Sequence, residues 1–156
     1  MPDEIERKYR VRGDGWRKTA RGRTLFDQAY LSDDPEKIVR VRIAGRRAWL
    51  TIKGRKSGNT APEYEYAIPV RDARDMLQRL PLAGRLRKYR WRVRHEGWTW
   101  EVDEFLDDNA GLILAEVELE SDRDRPPLPE WIGREVTRNP RYASSYLARP
   151  TPRSGS

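Results

Sequence analysis

The sequence predicts a mainly β protein of the α+β kind, an eight-stranded antiparallel barrel with helices packed outside it, on three observations. Strict alternation of apolar and charged residues runs through most of the chain. The alternating stretches are joined by short turns rich in Gly, Asn and Asp. Only two or three stretches repeat at helical spacing. The 156 residues suit one domain. With 37% charged residues the chain is more polar than an average domain, yet six Trp and seven Tyr argue for a packed fold.

The strands follow in order. Asp3–Arg12 sets Glu4, Glu6 and Lys8 on one face. Thr24–Leu31 is the second, and Asp33-Asp34-Pro35 turns it into Lys37–Ala44. Gly45-Arg46 leads to Arg47–Gly54, and Ser57-Gly58-Asn59 to Pro62–Val70. Val70, Ala73, Met76, Leu77 and Leu80 then share one helical face, which ends before Pro81 and Gly84. Arg85–His95 and Trp98–Phe105 form a hairpin over Glu96-Gly97, and Asp107–Gly111 precedes Leu112–Ser121. After Asp122–Pro129, Trp131, Ile132, Val136, Tyr142, Tyr146 and Leu147 mark a short docked tail. Residues 1–149 are expected to form the domain and 150–156 a flexible tail.

Composition excludes several chemistries. The chain has no Cys and one His, so disulfides, thiolate catalysis, Cys-ligated zinc and a self-sufficient His triad are ruled out. His95 reads as a turn histidine. Any metal must be held by oxygen. No run approaches 18 apolar residues and Met1–Arg10 is charged, so a cytoplasmic protein off the membrane is expected. Gly54-Arg55-Lys56-Ser57-Gly58 lacks the Walker A spacing and reads as a hairpin turn.

The strand faces carry the functional signal. Charged rows comprise Glu4, Glu6 and Lys8; Arg40 and Arg42; Thr51 and Lys53; Glu63 and Glu65; Lys88, Arg90, Arg92 and Arg94; Glu101 and Asp103; and Glu116, Glu118 and Glu120. The opposite faces are apolar. Two geometries satisfy this pattern: a sandwich with its charged faces in water, or a closed barrel with charges lining its lumen under an apolar exterior. The sorting of acids onto four strands and bases onto two others favours the lumen. Carboxylates at i and i+2 lie roughly 7 Å apart along a strand and suit hard divalent cations, Mg²⁺ or Mn²⁺. Lys and Arg on the same lumen suit phosphate oxygens. Together they describe metal-assisted phosphoryl transfer.

The residues also resemble a family. Glu4-Ile5-Glu6-Arg7-Lys8 is similar to the ExExK signature of the CYTH superfamily, the triphosphate tunnel metalloenzymes. Ile38–Ile43 resembles its paired-arginine strand, Leu50–Gly54 its TIKG strand, and Glu63–Tyr66 its second ExE. Lys88-Tyr89-Arg90, Trp100–Phe105 and Leu114–Leu119 continue the likeness in the family's order, covering residues 3–148. The resemblance implies an eight-stranded tunnel with a charged interior. It implies Glu4, Glu6, Asp103, Glu116 and Glu118 as ligands of Mg²⁺ or Mn²⁺, two ions being expected, with Glu63 and Glu65 ligating or polarising metal-bound water. It implies Lys8, Arg40, Arg42, Lys53, Lys88 and Arg90 as the grip on a triphosphate, and Glu4, Glu6, Lys8, Glu63 and Glu65 as the catalytic set. Glu101 and Arg92 rank as supporting charges. The family's Tyr-x-Asn-Ser reads Tyr142-Ala143-Ser144-Ser145 here, with a hydroxyl at Ser144 in place of the amide.

The activity expected is hydrolysis of inorganic tripolyphosphate to pyrophosphate and phosphate. Nucleoside triphosphatase, thiamine triphosphatase and adenylyl cyclase are alternatives on the same fold, and a noncatalytic barrel binding polyphosphate or RNA is a further one. The net charge of +7 would suit nucleic acid, but six to eight carboxylates on the same face oppose it. A small-molecule triphosphate is the expected partner, with monomer and homodimer both open.

Overall fold

The computed structural model describes residues 3–150. Its strands are β1 (Asp3–Val11), β2 (Arg21–Asp34), β3 (Lys37–Ala44), β4 (Arg47–Lys53), β5 (Thr60–Ile68), β6 (Gly84–His95), β7 (Trp98–Phe105), β8 (Ile113–Glu118) and β9 (Ile132–Glu135). Helix α1 spans Val70–Arg79 and α2 spans Ser144–Leu147. The order β5-β4-β3-β2-β6-β7-β8-β1 is antiparallel throughout and closes by pairing of β1 with β5, giving an eight-stranded barrel. Residues 151–156, read as a flexible tail, lie outside the described residues.

Closure is thin. Only Asp3, Glu4 and Ile5 pair with β5, after which the same edge of β1 passes to β9 at Tyr9 and Val11. Between these partners the Glu6 N–H donates to Asn59 O (3.1 Å) and the Lys8 N–H to Thr137 Oγ1 (3.0 Å). The β4–β5 loop and the chain after β9 therefore face each other across an opening in the wall. The sequence reading placed Ile132 in a docked tail; the structure makes it a ninth strand, because β1 extends beyond β5 and its free edge needs a partner.

The apolar faces are covered piecewise. Outside β1, β6, β7 and β8 pack Tyr9, Val93, Trp100, Val102, Val117 and Ile132, with Trp16 inserted from a 3₁₀ turn at Gly15–Lys18. Over β3 and β4 lies α1, burying Ala73 and Leu77 against Ala29, Val41 and Ala48. A third cluster, Tyr30, Leu86, Phe105 and Leu114, has the parity of the lumen residues and is capped by Leu147 and Ala148 around α2. One end of the barrel is thus closed by the chain's C-terminal region. The outer face of β5 stays open, with Tyr66 56% exposed, because α1 lies mainly over β3 and β4.

The cap depends on Gly84. A Cβ there would lie 2.6 Å from the carbonyl carbon of Ala148, where the Arg85 N–H already donates to Ala148 O (2.9 Å). Neither backbone can yield, so Gly84→Ala is expected to cost about 1–3 kcal/mol through overpacking. Urea denaturation checks this; an unchanged midpoint would show that the chain at Ala148 moves aside freely.

Candidate active site in the barrel lumen

The cavity enclosed by the barrel has a volume of about 1020 Å³. Its wall includes Glu4, Glu6, Lys8, Arg40, Arg42, Lys53, Glu63, Glu65, Lys88, Arg90, Glu101, Glu116 and Glu118. Strand register explains the gathering, because antiparallel pairing converts charges at alternate positions into cross-strand neighbours. Lys53 stands opposite Glu63, Arg90 opposite Asp103, and Lys8 opposite Glu116.

Most bases are held by acids. Lys53 Nζ lies 2.8 Å from Glu4 and 3.3 Å from Glu63, and these acids hold its pKa above the ordinary lysine value despite burial. Arg40 meets Glu65 at 3.5 Å, while the Thr51 hydroxyl donates to the same carboxylate at 3.0 Å. Lys8 donates to the Tyr142 carbonyl at 3.1 Å and lies 3.6 Å from Glu116. Arg90 grips Asp103 with two bonds of 2.7 and 2.9 Å and reaches Glu101 at 3.2 Å. Lys88 donates to Asp103 at 2.6 Å, and burial, opposed by Asp103, pulls its pKa down to about 7.

Arg42 is different. Its Nε donates to Gln28 Oε1 (2.9 Å), whose amide donates to the Tyr30 hydroxyl (2.9 Å), and its guanidinium lies 4.7 Å from the Phe26 ring centroid. It forms no ion pair among the described residues. Burial, with Arg40 and Arg90 nearby, lowers its pKa to about 9. The lumen thus presents a desolvated cation without an anion.

The acids show the complementary strain. Glu6 faces Glu118 across the ladder, and Glu101 faces Glu116, arrangements that destabilise a sheet unless a cation intervenes. Glu116 is met by Lys8 and by Arg90 at 3.7 Å, which hold its pKa well below the usual range against the effect of burial. Among the described residues Glu6 has no such ion-pair partner. Burial, with the charges of Glu116 and Glu4, pushes its pKa up to about 8. Burial also raises Glu4, helped by a hydrogen bond with Glu63, whose own pKa is lowered by that bond and by Lys53 despite burial. Glu63 Oε2 and Arg40 Nε are buried without a hydrogen-bond partner. Acids crowded against one another on one cavity wall, Glu6 beside Glu116, Glu118 and Glu4, fit a hard divalent cation. Among the described residues no three of them converge as a ready-made ligand set, so such an ion would draw them out of their present pairs.

Several residues stand apart from their expected places. Asp103 is 1% exposed, lies behind Arg90 and Lys88, and does not line the cavity; both its oxygens are taken by those bases. Arg92 is exposed and likewise outside the lining, whereas Glu101 is part of it. Ser144 and Ser145 border the cavity, as do Thr137, Tyr142 and Tyr146. Sequence reasoning missed Gln28, Thr51 as a bridge between Arg40 and Glu65, and Lys56. Gln28 is fully buried and neutral, and a search for charge passes over it.

A closed antiparallel barrel with acids and bases converging on its lumen is a charged β-tunnel. The chain belongs to the CYTH family: the CYTH domain matches residues 2–149. It is 44% identical over 149 residues to an inorganic triphosphatase of Acetivibrio thermocellus, covering 96% of this chain and 95% of that protein. A crystal structure of an inorganic triphosphatase superimposes with a TM-score of 0.65 at 29% identity, over 96% of this chain and 99% of the other. A Pyrococcus horikoshii protein of 21% identity shares the fold, with a TM-score of 0.61 over 76% of this chain and 79% of its own. Among the described residues no helix is long and apolar enough to cross a membrane.

Proposed function

We propose that this protein hydrolyses inorganic tripolyphosphate to pyrophosphate and phosphate with a divalent metal, Mg²⁺ or Mn²⁺. The observation that carries the reading is a pair of unmatched groups in one cavity, Arg42 with no anion in ion-pair distance among the described residues and Glu6, a carboxyl that burial and its acidic neighbours keep from ionising. A metal–triphosphate complex supplies a partner to both. The relationship to an inorganic triphosphatase supports the same conclusion.

In this reading Arg40, Arg42 and Arg90 fork the nonbridging oxygens, and Lys8 and Lys53 add point charges. Asp103 acts as an anchor that aims Arg90 and Lys88. Glu4, Glu6, Glu116 and Glu118 would hold the metal, and Glu63 and Glu65 orient water. When bound there, the ion would supply neutralisation of phosphate charge and acidification of water. The remaining work is positioning: fixed cations face the charge that gathers on the phosphoryl oxygens as the bridging P–O bond breaks.

A second reading, nucleoside triphosphatase, rests on Tyr142 and Tyr146 at the same cavity, where a base could stack. Phosphate release from tripolyphosphate, pyrophosphate, ATP, GTP and thiamine triphosphate with Mg²⁺ or Mn²⁺ separates the readings. Because the paired bases of the lumen grip phosphate oxygens and gain nothing from an attached nucleoside, kcat/KM for tripolyphosphate should exceed that for ATP by at least about tenfold, or ~1.4 kcal/mol. Pyrophosphate spans fewer bases and should be poor. An ATP preference or release of cyclic AMP would overturn the choice.

A further inference from the structure

We infer that Lys56, with Arg138 beside it, forms an additional phosphate-binding position at the mouth of the cavity, taking the phosphoryl group nearest solvent. The inference rests on the triphosphatase reading and extends it to residues outside the family-like motifs.

Lys56 lies in the Gly54–Gly58 stretch that reads as an ordinary turn, yet the two bases of that turn have different partners. Arg55 pairs with exposed Glu36. Lys56 turns toward the opening between the β4–β5 loop and the chain after β9, and its Nζ donates to the Thr137 carbonyl at 2.6 Å. The charges that act on it are Glu6, Lys8, Lys53 and Glu116, all groups of the lumen, and burial lowers its pKa. Arg138 closes over the same loop, a guanidinium nitrogen lying 3.6 Å from where a Cβ of Gly58 would sit. Gly58 itself has φ +61°, the left-handed conformation that carries the loop back into β5.

Neither base has a carboxylate within ion-pair distance among the described residues. An ammonium has three donors, and only one of those on Lys56 is used within the protein, on a neutral carbonyl oxygen. A phosphate oxygen is the stronger acceptor because the bond is then charge-assisted on both sides. A polyphosphate held at its inner groups by Arg42 and Arg90 would present its outer group at this mouth. There Lys56 can exchange the Thr137 carbonyl for a phosphate oxygen by a side-chain rotation. The competing role is a latch that merely ties the loop to the chain at Thr137.

Isothermal titration calorimetry of tripolyphosphate at fixed Mg²⁺ decides between them, with melting temperatures measured alongside. Lys56→Ala should raise the Kd about tenfold, the scale of one lost charged hydrogen bond. Arg138→Ala should raise it several-fold, Lys56→Arg should recover most of the loss, and Arg46→Ala, outside the cavity lining, should bind as wild type does. Wild-type affinity in Lys56→Ala, with or without a lower melting temperature, overturns the subsite. So does an equal loss in Lys56→Ala and Lys56→Arg, or in Arg46→Ala. If the wild-type protein binds tripolyphosphate in a Lys56-dependent way but releases no phosphate, the hydrolytic reading fails and the subsite stands. No binding to wild type overturns both.

Discussion

Replacing Glu6 by Gln should lower tripolyphosphate hydrolysis by roughly 10²–10³-fold, the scale seen when one fixed electrostatic contact to a reacting group is lost, while making the metal-free protein more stable at alkaline pH. The two effects have one cause. Glu6 sits buried near Glu116 and Glu4, so its carboxyl gives up a proton only around pH 8 instead of 4.5. A carboxyl whose folded pKa is raised leaves stability intact below about pH 4.5 and withdraws it as pH climbs toward 8. Gln keeps the volume and never ionises, so the withdrawal disappears. Melting curves in EDTA from pH 5 to pH 9 should show the variant gaining on wild type as pH rises. Near wild-type turnover at saturating Mg²⁺ would sink the metal assignment. Parallel melting curves would show that the acids do not strain one another.

That strain was legible in sequence because parity is a local property. In a strand every second residue shares a face, so Glu4 with Glu6, and Glu116 with Glu118, could be placed together without knowing their partners. The same logic located β3, β4 and β7 to within a residue. It failed where position depends on distant chain. β9 is four residues long and contains Gly133, and only the free edge of β1 gives it a reason to be extended. Parity also says nothing about depth. Asp103 and Arg92 have lumen parity, yet the stagger of the barrel leaves Asp103 behind its bases and carries Arg92 out to solvent. Lys56 lies in a turn, where alternation has no meaning. Gln28 and Phe26 became visible only as the groups that hold Arg42.

Removal of Arg42 is the sharpest test of the lumen as the binding site. Arg42→Ala should weaken tripolyphosphate binding by about 10²-fold, since a bidentate guanidinium makes two charged hydrogen bonds worth roughly 1.5–3 kcal/mol each, part of which water returns. Lys53→Ala should weaken binding comparably, but the two substitutions should part company in stability. Lys53 pairs with both Glu4 and Glu63 at 2.8 and 3.3 Å, so its loss leaves two adjoining acids without that cation and should lower the melting temperature by several degrees. Arg42 has no acid to abandon. Its pKa of about 9 marks a cation that burial and two neighbouring arginines disfavour. A base with a depressed folded pKa weakens the fold at every pH below that value, and relief begins only as pH rises through 9. At pH 7 the full penalty applies, so the volume-conserving Arg42→Met should melt at or above the wild-type temperature although Gln28 Oε1 loses its donor. Arg46→Ala, in the β3–β4 turn, should change neither property. If it weakened binding as much as Arg42→Ala, the anion would be held by diffuse exterior charge, and the lumen would not be the site.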